Sequence, residues 1–237
     1  RYDVFDDALI RFARLELSSN ENAWPRLGVA HMGGRLYIGN DAGTVTAYNA
    51  LSNSTSGSIR WSGVLPGSGG VRGVAIDRLN RWLYLANDTG IYRHDLDVNA
   101  LSVTQVGAMP GIRGLTHSTH FGAPGLEGLF ALRDDGASGS IVTRIPDDQA
   151  QGQAAFAPID YVFSADLWND IAATADGKLL CSADEDAALI SDDGDTRLAF
   201  DGWIADEFAQ VVDFGTGLIS PDGEPWGWVI DADVIPA

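Results

Sequence analysis

One cysteine, Cys181, and one lysine, Lys178, stand in 237 residues. A lone cysteine excludes an intrachain disulfide and a thiolate metal cluster. In "KLLCSA" (178–183) it reads as a small buried hydrophobe. Positive charge is equally scarce: 15 basic residues face 33 acidic ones, a net charge of −18. Such a surface repels a phosphate backbone, so nucleic-acid binding through a basic patch is excluded. No apolar run reaches the roughly 18 residues that a membrane-spanning helix needs. GxSxG, P-loop, HExxH and CxxC motifs are missing, which leaves nucleophilic, nucleotide and zinc chemistries without a motif. No basic-then-apolar leader opens the chain, and it starts at Arg1. It is read as a processed or excised piece of a longer protein, in an extracellular or particle-associated setting. The acidity fits solubility, adaptation to high salt, or a GC-rich genome that exchanges Lys for Arg.

Glycine, by contrast, is abundant, with 28 residues, and the chain repeats itself. "LYIGNDAG" (36–43) returns as "LYLANDTG" (83–90), then in weaker form as "LFALRDDG" (129–136) and "LLCSADED" (179–186). The period is roughly 47 residues. Each copy follows an apolar piece: "LGVAHM" (27–32), "RGVAID" (72–77), "RGLTHS" (113–118) and "NDIAAT" (169–174). Each precedes another: "TVTAYN" (44–49), "GIYRHD" (90–95), "SIVTRI" (140–145) and "AALISD" (187–192). A fourth piece shows in "SIRWSG" (58–63) and "TRLAF" (196–200). Alternating apolar and polar residues mark these pieces as strands, and the Gly, Asn and Asp between them suit hairpin turns.

Four short antiparallel strands at this period predict a β-propeller blade. "SPDGEPWGWVID" (220–231) begins a fifth unit that ends after two strands. "DDALIRF" (6–12) resembles a third strand and "ARLELS" (13–18) a fourth, so the two termini are expected to complete one blade together. The expected fold is all-β, a single five-bladed propeller over 1–237. Its units span 24–63, 71–108, 112–146 and 168–201, with 216–237 and 1–17 supplying the inner and outer strands of the closing blade. Six blades is the alternative, if 107–165 holds a degenerate unit. Helix is expected only in "WIADEFAQVV" (203–212).

The unit resembles NHL and gluconolactonase-type repeats, with their "GIA…DG.LYVAD…I.R.D" pattern, in residues 72–97 and 169–194. "LYIGNDAGTVTAYNA" (36–50) resembles a quinoprotein-type repeat as well. The resemblance specifies fold far better than activity. In such propellers the first strand of each blade lines a central channel. The equivalent positions here are Leu27, Arg72, Arg113, Asn169 and Thr216. Arg72, Arg113, Asn169 and Thr216 are the candidate ligand-binding residues, because two guanidiniums and an amide suit a carboxylate, phosphate or sugar acid. The competing expectation is that the arginines pair with acids on neighbouring blades.

Gluconolactonase and paraoxonase-like enzymes hold a divalent cation such as calcium in this channel, and the resemblance carries that role to Asn169 and Asp170 alone. Glu127 falls beside a second strand, and the other equivalent positions offer a leucine and two arginines. The expected function is therefore a non-catalytic binding or assembly module with no required cofactor. It would engage a protein, a small ligand or a carbohydrate. A metal-dependent hydrolase or lactonase is the first alternative and a carbohydrate-binding lectin the second.

Several features read as ordinary. "DEDAALISDDGD" (184–195) straddles a strand, and its "DDGDT" resembles an Asp-box turn rather than a calcium loop. His117 and His120 fall at the start of a long Gly/Pro loop, where solvent-exposed histidines are expected; His31 and His94 stand apart. Trp61 and Trp82 suit inter-blade packing. Trp24, Trp168, Trp203, Trp226 and Trp228 fall at blade entrances or loops, where an exposed aromatic would suit sugar stacking or a partner, with core packing the default expectation for most of them. Asn53 and Asn87 open glycosylation sequons.

Overall fold

A computed structural model describes residues 2–3, 8–9, 28–32, 35–49, 59–119, 127–137, 139–165, 167–173, 178–182, 186–190 and 197–201. Expectations for Thr216, His120, the 203–212 helix, the 216–237 strands and most of 1–17 lie outside these residues. So do those for Trp24, Trp203, Trp226 and Trp228.

Near the start, β1 (Tyr2–Asp3) pairs antiparallel with β2 (Ala8–Leu9). Sixteen further strands form four antiparallel four-stranded sheets, each in simple meander order. The first holds β3 (Val29–Met32), β4 (Arg35–Gly39), β5 (Thr44–Asn49) and β6 (Ile59–Val64). The second holds β7 (Gly73–Asp77), β8 (Trp82–Asn87), β9 (Gly90–Asp95) and β10 (Val103–Gly107). In the third, β11 (Ile112–Ser118), β12 (Gly128–Asp134) and β13 (Ser140–Pro146) are followed by a short helix, α1 (Asp147–Ala150). Its fourth strand, β14 (Ile159–Ser164), lies past that insertion, so the strands described between 112 and 165 form one sheet. The fourth sheet holds β15 (Asp170–Ala173), β16 (Leu179–Ser182), β17 (Asp186–Ile190) and β18 (Arg197–Asp201).

The repeated Asn-Asp phrase is a turn device. Asn40 Oδ1 accepts from the backbone N–H groups of Ala42 and Thr44 at 3.0 and 2.9 Å. In the next copy Asn87 Oδ1 accepts from Thr89 and Gly90 at 2.9 and 3.3 Å. An Asn side chain thus closes the hairpin between second and third strands each time. Gly43 completes the first of these turns at φ +75°, a conformation that disfavours any side chain with a Cβ.

A sheet apolar on both faces cannot stand alone, and successive sheets pack face to face. Alternation along each strand divides the core accordingly. Val74, Ile76, Leu83 and Leu85 face the first sheet, joining Tyr37, Val45 and Trp61. Ala75, Tyr84 and Ala86 face the third, joining Leu115, Leu129 and Ile145. On the third sheet's other face, Phe130, Leu132 and Val142 meet Ile171, Leu179 and Cys181 of the fourth. Cys181 is buried within that core and takes part in no disulfide. Trp168 is buried there too, packed into the core. Its backbone N–H donates to Ser140 Oγ at 2.8 Å, which draws the entry of the fourth sheet onto the third.

The first strands of the sheets are neighbours: β7 packs against β3 and β11, and β11 against β15. Their approach depends on Gly28, just before β3, on Gly73 in β7 and on Gly114 in β11. A Cβ at Gly28 would lie 2.9 Å from the Val74 nitrogen, and one at Gly73 would lie 2.7 Å from the Leu115 nitrogen. At Gly114 it would meet the Asp170 carboxylate and lie 3.2 Å from the Ile171 nitrogen. Each inner strand therefore presses its bare backbone against the next.

Candidate functional site

The starts of the inner strands form one rim, beside the second-to-third-strand hairpins that antiparallel pairing brings back to the same end. Arg72, just before β7, reaches both its own and the preceding sheet. Its Nε donates to Asp88 Oδ1 at 3.0 Å, and a terminal nitrogen lies 3.4 Å from Asp41 Oδ1. Asp41 and Asp88 occupy the same place in successive copies of the repeated phrase. Arg113 on β11 pairs through Nε with Asp134 of its own sheet and donates to Asn169 Oδ1 of the following sheet at 3.3 Å. The structure thus brings Arg72, Arg113 and Asn169 to one rim and engages both guanidiniums with groups on their own and adjacent sheets.

Asn169 and Asp170, the pair to which the resemblance assigns a cation, sit where the fourth sheet begins. The Asn169 carboxamide oxygen faces the Arg113 guanidinium. Asp170 is buried, and its Oδ1 accepts from the Ile171 backbone N–H at 2.9 Å while occupying the space beside Gly114. Glu127 contributes its backbone carbonyl to Arg144 at 2.9 Å, immediately before β12.

The opposite ends of the same strands carry a second constellation. His117 lies on β11, and its side chain is only 2% exposed, in contrast to the expected loop histidine. Its Nε2 lies 2.9 Å from Asp147 Oδ1, at the first residue of α1, and 3.8 Å from Asp77 Oδ2, at the end of β7. One ligand atom from each of the three lies within 4.8 Å of the others. Asp77 is fully buried and held by its own turn: Oδ1 accepts from the N–H groups of Leu79 and Asn80, and Oδ2 from Asn80 Nδ2 at 2.8 Å. Tyr84 on β8 stacks on His117, with centroids 6.2 Å apart and planes 14° from parallel. Its buried hydroxyl has no hydrogen-bond partner among the described residues. Burial first, then the carboxylates of Asp77 and Asp147, pushes this phenol far above its ordinary range, so it stays a neutral O–H.

The α1 insertion is fixed to the second sheet as well as the third. Arg93 lies 4.4 Å over the Trp82 ring and donates to the Ala150 carbonyl at 3.5 Å, while Phe156 packs against the second-to-third-sheet core. Reading the residues singly misses Asp77, Tyr84 and Asp147. The only sequence signal for them is the aspartate that ends "RGVAID" and the paired acids of "PDD" (146–148).

No protein-family model and no curated protein matches the chain. Among solved structures, the chain is similar to one in the crystal structure of a nidogen/laminin complex at 12% identity and a TM-score of 0.58. That match covers 76% of this chain and 65% of the other. Two further similarities reach a TM-score of 0.49. One is to PorZ, a surface component of the type-IX secretion system of Porphyromonas gingivalis, at 18% identity over 76% of this chain and 21% of that one. The other is to the Pan2 WD40 domain of Neurospora crassa, at 9% identity over 73% and 49%. The chain spans less than two thirds of the length of each of these three. Identities this low speak to fold alone. With the nidogen/laminin likeness, four face-packed sheets written by one recurring phrase define the class: this is a β-propeller repeat protein. Among the described residues, no helix is long and apolar enough to cross a membrane.

Proposed function

We propose that the chain is a non-catalytic propeller module that binds a protein partner, within a larger secreted or particle-associated protein. The observation that carries this reading is the state of the inner-strand rim. Arg72 and Arg113 tie adjacent sheets together through Asp41, Asp88, Asp134 and Asn169, so the polar groups gathered there serve blade assembly. A channel cation beside Asn169 and Asp170 would sit against the Arg113 guanidinium, which weighs against the lactonase alternative. The periphery favours a protein partner: the outermost strand of the third sheet presents Phe163, 65% exposed, and Ile159 to solvent, and β6 presents Ile59 and Val64. Five blades, with the last completed by strands from both termini, is the finer form of this reading.

The test is affinity capture on immobilised protein alongside assays of lactone and aryl-ester hydrolysis with added calcium. A partner held by wild type and released by Ile159→Ser/Phe163→Ser, with no turnover, supports the module. Turnover abolished by Asp170→Asn overturns it. Deleting residues 1–17 should make the protein aggregate if the termini close the ring; an unchanged melting transition would refute that closure.

A further inference from the structure

We propose that Asp77, His117 and Asp147 form a site for one first-row divalent cation, represented by zinc, that clamps the second sheet to the third. The donor set is two carboxylate oxygens and one imidazole nitrogen, a combination suited to zinc and its neighbours. Calcium is a poorer fit, because it prefers six to eight oxygen ligands. Donors of a tetrahedral zinc ion stand about 3.4 Å apart when each lies close to 2.1 Å from the metal. The separations of His117 Nε2 from Asp147 Oδ1 and Asp77 Oδ2, 2.9 and 3.8 Å, bracket that spacing.

Charge favours the ion. Two carboxylates bring negative charge to a pocket where the Asp77 and His117 side chains are 0% and 2% exposed. Burying such charge without a counterion is costly, and a divalent cation neutralises it. The surroundings are already those of a metal ligand's support. Three hydrogen bonds from Leu79 and Asn80 fix the Asp77 carboxylate while an Oδ2 lone pair remains available.

The independent pointer is Tyr84. Its side chain is wholly buried, it stacks on His117, and its hydroxyl lacks a partner among the described residues. A water bound to the ion would accept this hydrogen bond and complete the fourth position. Asp147, with a side chain 34% exposed, marks the way in. The ion would thereby join the end of β7, the inner strand β11 and the α1 insertion at one point.

The experiment uses the full chain, stripped with chelator and dialysed against zinc or cobalt(II). One zinc per chain is expected, with a cobalt spectrum typical of low coordination number and a melting temperature that rises on adding zinc. His117→Gln and Asp147→Asn should each weaken binding at least about tenfold, whereas Asp170→Asn should bind as wild type does. If His117→Gln does not fold, Asp147→Asn at the partly exposed carboxylate carries the comparison. No stoichiometric zinc in the wild type, wild-type affinity in both ligand variants, or loss of the ion on Asp170→Asn instead would each overturn the site. These outcomes are independent of whether a protein partner is found.

Discussion

His117 of the third sheet stacks on Tyr84 of the second at 6.2 Å, placing an imidazole between two carboxylates beside a phenol that has no partner among the described residues. A buried hydroxyl without a hydrogen bond costs about 1–3 kcal/mol. Tyr84→Phe should therefore stabilise the metal-free protein by about 1 kcal/mol. Urea denaturation after chelation measures this, and repeating it with zinc should erase or reverse the gain, because the ion's water then supplies the missing acceptor.

Arg72 links the turns of two sheets through Asp88 and Asp41, and its side chain is 22% exposed. Half-solvated pairs of this kind contribute roughly 1 kcal/mol or less. Arg72→Ala should lower stability by about that amount. The difference from wild type should shrink in about 1 M salt, where screening acts within a few ångströms. An unchanged difference would mean that the arginine stem, not its charge, stabilises the junction.

His94 offers a pH test. The ring is buried edge-on to Trp61 at 5.0 Å, and with its proton on Nδ1 it donates to the Ser102 carbonyl at 3.0 Å. Burial lowers its pKa below the usual imidazole range, against the smaller opposing effects of Ser102 and Asp95. Below about pH 6.5 the unfolded chain takes up a proton that the folded ring resists. This contribution to stability is complete above that pH and is lost as pH falls toward the folded pKa. Stability measured from pH 7.5 down to 5.5 should decline, and His94→Gln should flatten that part of the curve.

Gly73→Ala tests the close packing of the inner strands. Its Cβ would lie 2.7 Å from the Leu115 nitrogen and 3.0 Å from the Gly114 carbonyl carbon, both backbone atoms. Overpacking that cannot be relieved by rotating a side chain costs about 1–3 kcal/mol. A loss in that range by urea denaturation is expected; a neutral result would show that β7 and β11 separate easily.

The repeat was legible because it is written in local chemistry. Asn40 and Asn87 close their turns by themselves, and a short apolar run such as "WLYLAN", bounded by turn residues, reads as a buried strand with no distant partner needed. The strand β14 was hidden, since the α1 insertion displaces it from the period that marks the other fourth strands. The second constellation was illegible for a different reason. Asp77 and His117 are 40 residues apart and meet only when two sheets pack, while Asp147 belongs to an insertion absent from the other described units. Trp168 likewise reads as a loop residue until Ser140 is seen to draw its backbone inward.

The glycines of the inner strands also fix a direction. Gly28 receives Val74, Gly73 receives Leu115 and Gly114 receives Ile171, so each sheet offers a cleft on one side and a filler on the other. Such a contact is heterologous: two identical faces cannot satisfy each other. A fragment cut between sheets would carry an unfilled cleft at one end and an unused filler at the other. Its natural fault would be to join further copies of itself head to tail into a chain rather than to pair two-fold through one of these faces.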